Sequence, residues 1–75
     1  MKEEIYKIAE DYQKTVIERI NQLLEMDAIM YTNLGSDSTK TDKLEVKKNS
    51  RIIYKAIKDL DLETGKLLLQ HQDGY

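Results

Sequence analysis

Residues 33–42, NLGSDSTKTD, divide the chain and decide its fold. Gly35 follows the last apolar residue of a helical row, where a left-handed C-cap belongs. Thr39 is followed three residues later by Asp42, a Ser/Thr-x-x-acid capping box that opens a second helix. Ser38 is an equally good N-cap, so helix 2 starts within one residue of Thr39. The segment GSDS lacks the repeated glycines and GK[ST] ending of a phosphate loop and reads as a turn.

Upstream, Ile5, Ile8, Tyr12, Val16, Ile20, Leu23, Met30 and Leu34 recur at steps of three or four, with one gap of seven. That row predicts one helix over residues 2–33, roughly 45–50 Å long. Ala9, Ile17, Leu24, Ala28 and Tyr31 widen its face beyond a two-stranded coiled-coil seam. The gap falls on Asp27, which is expected either to reach water at the seam margin or to be a buried or half-buried charge paired with a lysine of helix 2.

Downstream, Val46, Ile53, Ile57 and Leu60 predict helix 2 over residues 39–60, with Leu44, Ile52 and Ala56 flanking. The segment DLETGK, with Gly65 free to take positive φ, reads as a turn. Residues 61–75 then form a short appendage in which Leu67, Leu68 and Leu69 pack back and HQDGY frays. A turn centred near residue 36 pairs position i with about 72 − i, which sets Leu60 against Tyr12. Ile5 and Ile8 would then overhang helix 2, and the leucines of the tail would cap them, within one chain or across a dimer.

The expected fold is therefore all-α: an antiparallel two-helix hairpin with a short C-terminal tail, in a single 75-residue domain. Pro, Cys, Trp and Phe are absent, so the core is built from Ile, Leu, Val, Met and Tyr. A chain this small buries little surface and has no disulfide to stabilise it. Assembly into a helical-bundle homo-oligomer is the expected remedy. The expected interface comprises Ile5, Ile8, Tyr12, Val16, Ile20, Leu23, Leu24 and Leu68.

The net charge is −2, but unevenly spread. Residues 1–33 carry seven acids and four bases, residues 34–60 four acids and seven bases, and residues 61–75 three acids and one base. Lys40, Lys43, Lys47, Arg51, Lys55 and Lys58 follow one another at steps of three or four along helix 2, with Tyr54 beside them. A cationic ridge with an aromatic neighbour suits a phosphate backbone, or a smaller phosphorylated ligand or nucleotide held between subunits. It better suits a solvated helix face, or one that meets an acidic protein surface, because the acids Asp42, Glu45 and Asp59 interrupt it.

No catalytic constellation is evident. His71 stands alone near the C-terminus, and a calcium-loop reading of DLDLETG fails because Thr64 and Gln70 occupy the positions of the required Gly and Glu. The expectation is no enzyme activity, no metal and no cofactor. No apolar run, LLL at 67–69 included, exceeds four residues, far below the ~20 residues of a membrane span. The leading expectation is a small interaction protein, a structural or regulatory subunit that self-associates and binds a protein partner, with nucleic acid as a weaker second reading. Its composition, rich in Lys and Ile and free of Pro, fits a cytoplasmic accessory protein of an AT-rich bacterial or phage genome, in the latter case acting in the host cytoplasm.

Overall fold

The computed structural model describes residues 2–73. Among them the chain is all-helical, with four helices rather than two: α1 (Lys2–Ala9), α2 (Val16–Thr32), α3 (Lys40–Leu60) and α4 (Leu62–Asp73).

The single helix expected over residues 2–33 is broken at residues 10–15, and the cause is local. Thr15 is the N-cap of α2 and makes a full capping box with Glu18. Glu18 N–H donates to Thr15 Oγ1 at 3.1 Å, and Thr15 N–H donates to Glu18 Oε1 at 3.4 Å. Asp11 supports the turn, its Oδ1 accepting from the Gln13 N–H at 3.3 Å. Arg19 then fastens the two helices together. Its Nη1 donates to Ala9 O at the end of α1, and its Nε to Lys14 O, both at 3.1 Å. A guanidinium at a helix C-terminus also complements the helix dipole. Arg19 is 8% exposed and lies 5.3 Å from the Tyr12 ring centroid.

The turn at 33–39 matches expectation at its far end. Thr39 caps α3 with a capping box to Asp42. The near end differs. The C-cap is Asn33 in the right-handed region, and no described glycine has positive φ. Gly35 instead closes a small turn with Ser38: its N–H donates to Ser38 Oγ at 2.8 Å, and Ser38 N–H donates to Gly35 O at 3.1 Å.

The appendage is also corrected. In DLETGK, Asp61 is a one-residue break after α3 and Leu62 already begins α4. Gly65 is buried inside this helix. A Cβ built there would collide with the Lys58 backbone, so the glycine serves close helix approach rather than a turn. His71 and Gln72 belong to α4, and residues 74 and 75 of the segment expected to fray lie outside the described residues.

Helix α3 is the centre of the molecule. Ile5, Leu23, Ile53 and Ile57 are fully buried, and Met30 and Ala56 complete the core. Each such aliphatic side chain contributes about 1.5–3 kcal/mol by leaving water. Helix α1 packs on both α2 and α3, whereas α4 packs on α3 alone. Within one chain the leucines of α4 therefore do not cap Ile5 and Ile8; the break at residues 10–15 lets α1 fold onto α3 directly. The hairpin register shifts too. Asp27 meets Tyr54, nine residues past the position 45 expected from the turn centre. Residues 40–45 at the start of α3 are correspondingly exposed.

Candidate functional site

A cavity of about 650 Å³ opens where α2, α3 and α4 converge. From α2 and the turn after it come Asp27, Tyr31 and Leu34; from α3, Lys43, Lys47 and Tyr54; from α4, Leu68, His71 and Gln72. The spacing explains the convergence. Lys43, Lys47 and Tyr54 lie on one side of α3, and Leu68 and Gln72 are one turn apart on α4.

Its polar groups are unusual for their burial. Asp27 is 8% exposed, and its Oδ2 accepts a 2.6 Å hydrogen bond from the Tyr54 hydroxyl. Of the two outcomes expected for Asp27, the buried one holds rather than the water margin, and its partner does come from the second long helix, but it is the Tyr54 phenol rather than a lysine. Its Oδ1 is buried without a hydrogen-bond partner. Gln72, also 8% exposed, donates through Nε2 to Lys47 O at 3.2 Å, and its Oε1 is buried without a partner. Burial, and then the Asp27 hydrogen bond, push the Tyr54 phenol up to about 12. Ser50 lies one turn earlier on α3. Its hydroxyl acts in the opposite sense on that phenol, although Ser50 Oγ itself is buried with no hydrogen bond of full geometry.

The residues of the expected cationic ridge divide. Lys43, Lys47 and Tyr54 come together at the cavity, with both lysines exposed. Lys40, Arg51 and Lys55 are exposed on α3 but are not among the cavity walls, and Lys58 is half-buried under Gly65. Asp27 and Gln72 are not among the expected site residues, and only the interruption of the apolar row at Asp27 hints at either.

The residues of the expected interface divide as well. Ile5 and Leu23 are fully buried in the chain's own core. Ile8, Ile20, Leu24 and Leu68 are half-buried against it. Tyr12 lies in the turn after α1 at 81% exposure, and Val16 at the start of α2 is 39% exposed. Helix α1 follows the Met26 and Met30 edge of α2. On the other edge Ile17, Leu24 and Ala28, with half-buried Ile20 beside them, form an apolar stripe on which no other described helix packs, while Tyr31, next on the same row, belongs to the cavity wall. Ile17 is 71% exposed.

Among the described residues no helix is long and apolar enough to cross a membrane. Compared with protein-family models, curated proteins and solved structures, the chain matches none.

Proposed function

We propose that the chain is a non-enzymatic interaction module, a structural or regulatory subunit that self-associates through the open edge of α2 and thereby offers a platform to a protein partner. The observation that carries this is the edge of α2 bearing Ile17, Leu24 and Ala28, with half-buried Ile20 beside them, at helical spacing and with no other described helix packed on it. A soluble monomer rarely leaves a continuous apolar patch open, and rows of this kind mark interaction surfaces. Two antiparallel copies of α2 would bury the stripe in a seam of bundle type.

Absolute mass by light scattering on a sizing column, at low and at high salt, tests this. A dimer that persists at high salt, and that becomes monomeric in an Ile17→Glu, Leu24→Glu variant of unchanged helicity, is the expected result. A monomer across the accessible concentration range overturns self-association through α2.

A further inference from the structure

We infer that the cavity between α2, α3 and α4 binds a nucleoside phosphate, with the base at the buried end and the phosphate at the mouth. This goes beyond self-association and does not depend on it.

The groups lining the cavity differ in exposure. Asp27 and Gln72 are each 8% exposed, and each carries an acceptor, Asp27 Oδ1 and Gln72 Oε1, that is buried without a hydrogen-bond partner. Leaving a buried acceptor unmet costs about 1–3 kcal/mol. Two such atoms beside one cavity point to a ligand that brings N–H donors, as the exocyclic amine of a base does. The carboxylate also rejects the anionic end of any ligand, which fixes which end enters.

The middle is apolar and aromatic. Leu68 of α4 and the Tyr31 and Tyr54 side chains supply walls for a flat ring system. Tyr54 is held in place by its 2.6 Å hydrogen bond to Asp27, so that wall is preorganised. The mouth is cationic: Lys43 and Lys47 stand one turn apart on α3, both exposed. The volume of about 650 Å³ lies within the range of small-ligand sites. A free amine fits the buried end but not the lysines. A simple phosphate fits the lysines but not the acceptors. A nucleoside phosphate satisfies both.

Titration calorimetry on the full chain, with AMP, GMP, CMP, UMP and inorganic phosphate in turn, is the test. Binding by at least one amine-bearing nucleotide, with UMP and phosphate at least about tenfold weaker, is expected; that ratio corresponds to about 1.4 kcal/mol. Asp27→Asn keeps an oxygen for Tyr54 but replaces the other acceptor by a donor, and should weaken binding by about tenfold or more. Lys43→Glu, Lys47→Glu changes exposed residues only, so it decides the matter if Asp27→Asn fails to fold; it too should weaken binding by about tenfold or more. A 12-mer of mixed single-stranded DNA identifies the source. Tighter binding that still depends on Asp27 means that the nucleotide comes from a strand; binding of the mononucleotide alone means a free ligand. No heat with any nucleotide at about 5 mM overturns the inference. Strand binding that ignores Asp27→Asn overturns it equally, since the lysine charge alone would then explain it.

Discussion

At the scale of single residues, Arg19 and Tyr54 each tie one element to another. Arg19 joins α1 to α2 through two hydrogen bonds to main-chain carbonyls, at Ala9 and Lys14. Hydrogen bonds from a charged donor are each worth about 1.5–3 kcal/mol. Arg19→Ala removes both and leaves the end of α1 uncapped, so a loss of about 2–4 kcal/mol is expected in urea unfolding. A loss below about 0.5 kcal/mol, the size of an ordinary surface change, would show that Arg19 does not set the α1–α2 angle. Tyr54 acts through pH. Its phenol is raised to about 12 in the folded chain, from 10.0 for the free side chain. A group with a raised folded pKa favours folding fully below its unfolded value and loses that contribution as pH climbs to the folded one. Stability should therefore fall between pH 10 and about 12 as Tyr54 ionises. Absorbance titration at 295 nm should show a late-ionising phenol that is missing in Tyr54→Phe, and a titration of the same shape in both proteins would refute the Asp27–Tyr54 hydrogen bond.

At the scale of elements, the start of α3 was legible because its signal is contiguous: Thr39 and Asp42 sit three residues apart and make the capping box they spell. Thr15 and Glu18 carry the same grammar, and their box ends the long helix that the apolar row suggests. The row misleads because Tyr12 falls in phase between Ile8 and Val16, so the spacing stays helical across a segment that is a turn. Asp27, Tyr54 and Gln72 meet only through tertiary packing, and no local spacing announces that. Gly65 misleads for a different reason. Glycine marks both turns and close helix approaches, and the two look alike in sequence. Here it lets α4 press against Lys58 of α3. The distinction has a sign. In an open helix Gly→Ala stabilises by about 1 kcal/mol. At Gly65 the new methyl meets backbone, which cannot swing aside, so Gly65→Ala should destabilise by about 1–3 kcal/mol. Thermal melting separates the two: each kcal/mol lowers or raises Tm by about 4–8 °C in a domain of this size. A higher Tm in the variant would mean that α4 does not dock on α3 as described, and the cavity that α4 helps wall would fall with it.

At the scale of the whole molecule, the proportions argue for assembly. The described chain measures 39 × 24 × 16 Å along its principal axes, and only four large aliphatic side chains are fully buried. A thin body of this kind hides a small share of its surface, and chains of this size are commonly marginal alone. Helix α1 covers one edge of α2 and α4 lies on α3, so the edge bearing Ile17 and Leu24 is where further burial is available. Burial there can come from a second copy without disturbing the core, because Ile17 is 71% exposed already. If a dimer is the stable form, folding and association are one equilibrium, and melting must depend on concentration. Raising the chain concentration about a hundredfold adds about 1.4 kcal/mol per chain, half of RT ln 100 for a dimer. That corresponds to a Tm higher by roughly 6–10 °C. The Ile17→Glu, Leu24→Glu variant should melt at one temperature whatever its concentration. A wild-type Tm equally indifferent to concentration would show that α1, α3 and α4 suffice, and that the open edge of α2 is not closed by a second copy.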